Sequence, residues 1–465
     1  MQRWPLPDPV SRGPWLFSAS PGFGSSGGES LPSRVMASPV YITGCGPIGP
    51  LGQGIVPTWE ALRAGETGLE PVTAFDASNT GHDLAGEVAD LDVKKAVPKA
   101  YRKAVKVMAR DIELAVVAAR LAAEDAGLVT PGTAEGGEPG VAAERFGCHI
   151  GAGLIAADEN ELGAALAGST GADGAFSLER WGESGMEQLT PLWLLKYLPN
   201  MLACHVTIIH EARGPSNTIT CGEASGGLSI GESLRVIQRG AADACFCGGA
   251  ESRLNPMAFH RQVLGGRLAP TGGSVRPFDE GAEGTAVAEG GGILVIETAE
   301  NLKKRGGGQP RAKLTGFASS QTLHPESLNR QPDPGGRSIA AAMRRALADA
   351  GKTPADVDAV VPFGIGHPLW DAAEAEALRA VFGDRLGQIP VLGTKASTGN
   401  LAAGAGGFEV AVAAQALAAG ELPPILHRER PLPGFEATGA ERLETVLVVS
   451  TAVGGQNTAL VLEKA

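Results

Sequence analysis

Aromatic residues are scarce in this sequence, since they make up 5% of its 465 residues and only three of them are tyrosines. We therefore do not expect a core organised around a few large aromatic anchors. Glycine is abundant instead, with 66 residues, and it favours tight turns and close packing between helices and sheets. An uninterrupted apolar run of about 18 residues is also lacking, which predicts no membrane span.

Cysteine is infrequent, and its residues lie in apolar stretches without the spacing of metal ligands. Cys245 and Cys247 fall on one face of a predicted strand, where we interpret them as small buried hydrophobic residues. Free cysteines of this kind are typical of a reducing compartment, so we predict a cytoplasmic protein. We expect neither a metal ion nor an organic cofactor. The six cysteines are Cys45, Cys148, Cys204, Cys221, Cys245 and Cys247.

Positive charge is also in short supply, because the formal net charge is -12 at neutral pH. No basic run stands out, which argues against a nucleic acid partner. An acidic carrier protein would then need a local basic patch. The hydrophobic fraction of 43% and the charged fraction of 19% predict a soluble globular fold.

The chain is predicted to consist of a tail and two halves. Residues 1–38 are rich in proline, glycine and serine without any periodic pattern, which predicts a disordered tail. This tail has no secretory signal, and whether translation starts at Met1 or Met36 is left open. The remainder suits two fused units or one layered domain. A polar, glycine-rich stretch divides it into an N-terminal half at 39–300 and a C-terminal half at 301–465.

Strands and helices alternate through both halves, which predicts an α/β fold with largely parallel sheets. Two helix openings, GEASGGL after Thr220 and KASTGNL from Lys395, are similar enough to suggest an internal duplication. The predicted strands are 40–44, 146–153, 244–248, 290–297, 313–318, 357–362 and 446–450, and the predicted helices are 59–63, 112–126, 224–239, 338–350 and 371–382.

A turn with a candidate catalytic position has the sequence GPSNTITCGEASG over residues 214–226. It resembles the active-site turn of the β-ketoacyl synthases of fatty-acid and polyketide assembly, in which a strand ends at a cysteine that opens a buried helix as C-x-S-G. Here the residue before x-S-G is Glu223, and the count from Gly214 also gives Glu223. Cys221 is two residues out of register. A carboxylate is a far weaker acyl acceptor than a thiolate.

The resemblance to β-ketoacyl synthases extends over residues 39–465, because further family motifs follow in the family's order. It implies a thiolase-like, layered αβαβα fold of two similar halves, and a dimer built across the central sheets. The matching segments are 40–54 with 59–62, 75–78, 198–201, 248–251, 276–279, 289–290 with 296–297, and 394–399.

The same resemblance places the family's two catalytic histidines at Phe363 and Asn400. Neither side chain exchanges a proton near neutral pH. Lys395, Asp371 and Glu374 stay as in the family, whereas His367 falls on a threonine position and is no simple replacement. The nucleophile and both imidazoles are thus predicted to be absent, which leaves little reason to expect condensation. No intact catalytic residue is predicted.

Glu223 has three interpretations. It is a relic stabilised by the free N–H groups and dipole of a buried helix N-terminus, or its charge mimics a bound acyl or carboxylate group, or it acts directly as an acid or base. His149, His205, His210 and His260 are interpreted as structural.

Three functions remain open at this point, and whether any enzyme activity persists is open with them. The first is a non-condensing partner, similar to the chain length factors that pair with an active ketosynthase. The second is an active acyltransferase or malonyl decarboxylase with altered chemistry at Glu223, and the third is a scaffold subunit of a carrier-protein complex. The predicted partners are a ketosynthase in a heterodimer, or a second copy in a homodimer, together with an acyl carrier protein. Chain length, pathway and the partner's identity are not given by the sequence.

Overall fold

The computed structural model describes residues 39–134, 136–324 and 331–465. The predicted disordered tail and the question of the start residue therefore lie outside the described residues. Within them, the strands are β1 (Val40–Gly49), β2 (Gly52–Gln53), β3 (Leu69–Pro71), β4 (Leu84–Gly86), β5 (Phe146–Ala152), β6 (Ser216–Ile219), β7 (Ala244–Ser252), β8 (Val287–Thr298), β9 (Ala312–Gln321), β10 (Ala359–Val361), β11 (Thr445–Thr451) and β12 (Gln456–Lys464).

Helices connect most of these strands. In the same described ranges they are α1 (Ile55–Arg63), α2 (Val93–Ala96), α3 (Arg110–Asp125), α4 (Glu159–Gly168), α5 (Leu178–Glu183), α6 (Met201–His210), α7 (Ser225–Gln238), α8 (Pro256–Leu264), α9 (Ala299–Lys304), α10 (Arg337–Asp349), α11 (Pro368–Phe382), α12 (Lys395–Thr398) and α13 (Ala405–Ala419). Short 3₁₀ helices lie at Lys99–Tyr101, Ala104–Val107, Ala143–Arg145, Gly185–Gln188, Trp193–Tyr197, Pro354–Asp356, Gly383–Gln388 and Ala402–Gly404.

The main sheet runs through both halves in the order β10-β11-β12-β9-β1-β8-β7-β5-β6. The two halves join where β1 pairs with β9, and β6 forms one edge. The prediction of largely parallel sheets is wrong, since β5–β6, β5–β7 and β10–β11 are parallel but most other pairs are antiparallel. The physical reason is the path of the chain between strands. Residues 253–286 connect β7 to β8, which then pairs antiparallel with both β7 and β1. A tight turn reverses the chain between β11 and β12, so these strands are antiparallel as well.

The elements stack in five layers. Helices α3 and α6 cover the outer face of the N-terminal strands, and α10 and α11 cover the outer face of the C-terminal strands. Helices α7 and α13 lie between the two groups of strands and pack against both. This stacking puts the N-terminus of α7 in the middle of the protein, where a side chain is shielded from water. From residue 39 onwards the chain packs as one unit, so the boundary between the halves stays a prediction.

The central layer is built from small residues. A Cβ added to Gly407 of α13 would lie 1.9 Å from the carbonyl oxygen of Gly292, and one added to Gly406 would lie 2.6 Å from the backbone nitrogen of Gly227. The helical stretch Ala402–Ala419 is long and apolar enough to cross a membrane, but 83% of it is buried inside the protein. It is a core helix that touches sheet on two sides, so its sequence is apolar all round.

The two similar helix openings differ in the structure. Glu223 lies two residues before the central helix α7, whereas Lys395 begins the separate short helix α12 and the central helix α13 starts at Ala405.

Candidate active site

Glu223 and Asn400 meet in a buried site beside the start of α7. The side-chain nitrogen Nδ2 of Asn400 donates to Oε1 of Glu223 at 3.3 Å, across 177 residues of sequence. Phe363 lies further off: its ring packs edge-on against Trp370, with centroids 6.3 Å apart. Trp370 in turn lies 5.5 Å from the guanidinium carbon of Arg267, which binds Glu223. The three predicted triad positions thus belong to one connected cluster.

A tight turn positions the carboxylate. Strand β6 ends at Ile219 and α7 begins at Ser225, and Gly222 between them has a φ of 56°, in the left-handed region that favours glycine. The hydroxyl of Ser225 accepts from the N–H of Cys221 at 2.8 Å and donates to the carbonyl of Gly222 at 2.6 Å. These bonds fix the turn and bury the side chain of Glu223.

Cys221 lies next to this site but is not an activated thiol. It is half-buried, and burial raises its pKa above the usual value. A thiol with a raised pKa stays protonated at neutral pH and is a poor nucleophile. Cys221 therefore does not supply an activated nucleophile next to Glu223.

Two arginines balance the charge of Glu223. Burial alone would raise the pKa of this carboxyl, but the guanidinium groups of Arg267 and Arg253 outweigh it and hold the pKa well below its usual value. Nη2 of Arg267 donates to Oε1 of Glu223 at 2.8 Å, and Nη1 of Arg253 lies 3.4 Å from the same oxygen. Side chains, rather than the helix N-terminus expected from sequence, are thus its main partners.

Sequence reasoning missed both arginines. Arg253 follows β7 directly, and its Nε also donates to Oε1 of Glu251 at 2.7 Å. Arg267 follows α8 in a glycine-rich turn and is 8% exposed. The motif that contains Glu251 was visible and lies two residues before Arg253, so it offered a signal for that residue. Arg267 carries no local signal, because its position depends on a contact across 44 residues.

The retained carboxylates hold the backbone that carries Phe363. Glu374 accepts from the N–H groups of Phe363 and Gly364, each at 2.8 Å. Asp371 accepts from the N–H groups of Phe278 at 2.9 Å and Ile365 at 3.1 Å. Burial raises the pKa of Asp371 to about 6 and that of Glu374 to about 8. Both residues therefore shape this loop whatever side chain stands at the histidine position.

Lys395 is fully buried and its charge is neutralised locally. Its Nζ donates to Oε1 of Glu409, and the same nitrogen lies 4.7 Å from the ring centroid of Phe363. A cation over an aromatic face is favourable, so Phe363 fits this retained lysine without any proton exchange. Burial raises the pKa of Glu409, although the charge of Lys395 opposes that effect.

The predicted second-histidine position has a structural task as well. Oδ1 of Asn400 accepts from the N–H of Ala402 at 3.0 Å. Ala402 has a φ of 53°, which is unfavourable for alanine, so Asn400 holds the strained entry to the central helix α13. Its amide thus links that entry to Glu223.

His367 serves as a helix cap. It precedes α11, and its Nδ1 accepts from the N–H of Leu369 at 3.2 Å. Burial lowers its pKa, which keeps the ring neutral. His149 is held by the hydroxyl of Ser233, 2.8 Å from its Nδ1, in keeping with its structural interpretation.

A cavity of about 460 Å³ opens beside Glu223. Its lining includes three arginines, the turn before α7 and the loop between β11 and β12. The lining residues are Gly222, Glu223, Arg253, Arg261, Gln262, Leu264, Gly265, Arg267, Val453 and Gly454. Chemically, this site offers an ionised carboxylate already paired with guanidinium groups, an amide and an aromatic ring. It can bind and orient a ligand, but it presents no activated acyl acceptor.

Two protein-family models match the chain. The model described as beta-ketoacyl synthase, N-terminal domain, covers residues 37–301, and the one described as beta-ketoacyl synthase, C-terminal domain, covers residues 312–429.

Two curated relatives match over nearly their whole length. The 3-oxoacyl-[acyl-carrier-protein] synthase 2 of Staphylococcus aureus (strain COL) is 29% identical over 436 residues, which are 91% of this chain and 98% of that protein. The protein of the same name from Coxiella burnetii (strain RSA 493 / Nine Mile phase I) is 30% identical over 437 residues, with the same shares covered.

Solved structures share the architecture. The ishigamide ketosynthase/chain length factor aligns with a TM-score of 0.77 and 26% identity, covering 92% of this chain and 100% of that one. A beta-ketoacyl synthase from Burkholderia phymatum STM815 aligns with a TM-score of 0.75 and 23% identity, with the same coverage. The predicted thiolase-like layered fold with two similar halves is confirmed.

Proposed function

The chain belongs to the β-ketoacyl synthase family, and we propose that within it this chain is a non-condensing subunit that pairs with an active ketosynthase in the manner of a chain length factor. The observation that carries the proposal is the environment of Glu223. Its carboxylate lies in the predicted nucleophile register and is bound by Arg253 and Arg267. The likeness to the ishigamide ketosynthase/chain length factor supports it.

The chemistry of the site supports the loss of condensation. A carboxylate is a weak acyl acceptor to begin with, and Oε1 of Glu223 also accepts from Arg253, Arg267 and Asn400, whose donated hydrogen bonds lower the nucleophilicity of the carboxylate further. The arginines also keep the carboxylate ionised, so it cannot donate a proton as a general acid. Loss of the whole cooperating set removes nearly all of the rate in enzymes where such losses are measured.

The test is direct acylation of the purified chain. An acyl carrier protein loaded with a thioester is mixed with the chain, and the intact mass is read over time. We expect no stable adduct, because neither Glu223 nor Cys221 is an activated nucleophile. An adduct on Glu223 would favour the alternative of altered acyl transfer, and an adduct on Cys221 would overturn the assigned register.

The edge of the main sheet supports a ketosynthase partner. Strand β6 pairs with β5 on one side and ends the sheet on the other, and its residues Ser216 and Asn217 are exposed. More than half of the large exposed apolar side chains of the described chain fall between residues 154 and 208: Leu154, Leu166, Phe176, Leu178, Met186, Leu192, Leu194 and Ile208. An open sheet edge and exposed apolar side chains are each features of association surfaces.

Co-expression with candidate ketosynthases tests this pairing. Ile208 lies on α6, which packs on β5 and β6, and is 56% exposed. We expect Ile208→Asp to reduce recovery of the complex about tenfold, because it places a charge in an apolar interface. Val56→Asp, at a similarly exposed position on α1, is the matched control. The pairing would be ruled out if the chain stayed a monomer or a homodimer in the presence of every candidate ketosynthase and left the product lengths unchanged.

A basic segment supports an acidic carrier protein as the second partner. The expected absence of a basic run is wrong for one segment of the chain. Six basic residues in residues 94–106 are all exposed, and residues 93–110 contain no acidic residue. They are Lys94, Lys95, Lys99, Arg102, Lys103 and Lys106. In a chain with a net charge of -12, this concentration favours association with an acidic surface. The relatives named 3-oxoacyl-[acyl-carrier-protein] synthase 2 fit such a partner.

The carrier surface is tested by charge reversal. The double variant Lys99→Glu with Lys103→Glu is expected to weaken binding of an acyl carrier protein about tenfold at low salt, and the loss should shrink as salt is added. Lys303→Glu with Lys304→Glu reverses two exposed lysines of α9 and is the control. Equal losses in both pairs would contradict a local docking surface.

We also propose a cytoplasmic location, supported by six cysteines that are all free.

A further inference from the structure

The cavity beside Glu223 is positively charged although the protein as a whole is acidic. Arg253, Arg261 and Arg267 line it together with Glu223. Glu251 also forms an ion pair with Arg253. Three guanidinium groups face two carboxylates, so this region has a net charge of +1 in a chain whose net charge is -12.

The three arginines differ in how far their hydrogen-bonding capacity is used. Arg253 is engaged by Glu251, Glu223 and Gln262. Arg267 uses Nη2 for Glu223, while its Nη1 is buried and has no hydrogen-bond partner in the part of the chain that the structure describes. A buried donor without a partner is costly, and an incoming anion would relieve that cost.

Arg261 adds a further positive charge to the cavity. It lies on α8 and is exposed, and no carboxylate of the described residues lies within ion-pair distance of it. Arg261 also lines a neighbouring cavity of about 210 Å³ together with Gly222, Arg253 and Gln262. It therefore stands where the two cavities meet.

We propose that this cavity is a binding site for an anionic group, a carboxylate or a phosphate, held by Arg261 and Arg267. The planar fork of an arginine matches both anions and binds them through two parallel hydrogen bonds. Glu223 occupies part of the cationic capacity as a built-in anion. Leu264 and Val453 add apolar wall, which suits an anionic group carried on a partly apolar molecule.

The site is independent of a ketosynthase partner, so its test and the co-expression test fail separately. Inorganic phosphate and propanoate are titrated separately into the full chain at constant ionic strength, with binding followed by calorimetry. We expect saturable binding of one or both anions. Tighter binding of phosphate assigns a phosphate ester as the ligand class, and tighter binding of propanoate assigns a carboxylate.

Three variants make the assignment sharp. Arg261→Gln should weaken binding about fivefold, because one charge-assisted contact is lost. Glu223→Gln should tighten it about fivefold, since the competing internal anion is removed. Arg239→Gln, at an exposed arginine at the far end of α7 that pairs with Glu232, should leave it unchanged. Absence of saturable binding of both anions, an equal loss in the Arg261 and Arg239 variants, or weaker binding in Glu223→Gln would overturn the proposal.

Discussion

The carboxylates on the two sides of this site are all buried, yet their pKa values shift in opposite directions. That of Glu223 is lowered, while those of Asp371 and Glu374 are raised to about 6 and about 8. The difference lies in the partners. Guanidinium charges face Glu223, whereas neutral backbone N–H groups face Asp371 and Glu374. Backbone donors and the charge of Lys395 lessen the effect of burial on Asp371 and Glu374, whereas the two guanidinium groups bonded to Glu223 reverse it.

This contrast separates residues kept for shape from a residue kept for charge. Glu374 and Asp371 tie down the loop at 363–366, and the loop needs them even though Phe363 cannot take part in proton transfer. Glu223 is bound to side chains instead, and Arg253 and Arg267 supply the positive charge among them. A chain that has lost a reaction would keep the first kind of residue in any case. The second kind requires compensating arginines.

The largest expected effect comes from breaking the charged side of this comparison. Arg267→Met leaves Glu223 with Arg253 as its remaining cation, and we expect a loss of about 3 kcal/mol in the free energy of unfolding. The measurement is urea denaturation at pH 7. Glu223→Gln in the same chain should recover most of the loss, because the uncompensated charge is then gone.

The control for this prediction is Arg276→Met, which removes a half-buried arginine whose partner Glu429 is exposed. We expect a loss below about 1 kcal/mol there, as for other exposed pairs. If Arg267→Met cost no more than that control, or if Glu223→Gln gave no recovery, the account of Glu223 as an arginine-dependent anion would be wrong.

The next effect is smaller and has opposite signs on the two sides. A folded pKa below the unfolded one means that Glu223 contributes stability that is lost as the pH falls below about 4. Glu374 has a folded pKa of about 8, above the unfolded one, so its contribution is lost as the pH rises from about 5 to about 8. Glu223→Gln should flatten the acid limb and Glu374→Gln the alkaline limb of a stability profile.

Glu374→Gln should in addition cost about 1–3 kcal/mol at pH 5, because its amide group faces a backbone N–H that needs an acceptor. Glu376→Gln, on the same helix but half-exposed and paired with Arg379, is the control and should change neither limb. Identical profiles for the Glu374 and Glu376 variants would remove the distinction between the two sides of the site.

Local patterns predicted the fold well where an element has one buried face. The predicted helix at 112–126 corresponds to α3 (Arg110–Asp125), which is followed by Gly127 with a φ of 60°. The predicted strand at 290–297 lies within β8 (Val287–Thr298). Helix α13 was missed, because a helix buried on all sides has no amphipathic period to detect.

Long-range contacts were beyond the same patterns. The alignment with the family motifs identified Glu223 and Asn400 as members of the site. No pattern in the sequence indicated Arg267, which reaches Glu223 only because the fold places the end of α8 next to the turn before α7. The prediction of parallel strands was wrong for a related reason. The antiparallel pairing of β8 with β1 joins segments far apart in sequence, and no local pattern specifies it.

The final prediction sharpens the comparison through a substitution that places a thiol at the predicted nucleophile position. In Glu223→Cys the two arginines would face a thiol, and nearby positive charge lowers the pKa of a thiol and favours the thiolate. We therefore expect this variant to take up an acyl group from a loaded carrier protein. Condensation requires further groups, because the enolate and oxyanion that develop must be stabilised and protons must move.

Phe363 has no proton to give, and the amide of Asn400 donates a hydrogen bond without exchanging a proton near neutral pH. Glu223→Cys alone should therefore form the acyl adduct and yield no β-ketoacyl product above background. The triple variant that adds Phe363→His and Asn400→His should exceed it by about 10²-fold or more. Lys395 lies 4.7 Å from the ring of Phe363, so a histidine there would be biased towards its neutral form, which suits hydrogen-bond donation to an oxyanion. Product from the single variant equal to that of the triple would show that the proton-handling groups of this chain lie elsewhere, and that the two sides of the site are less separate than their partners indicate.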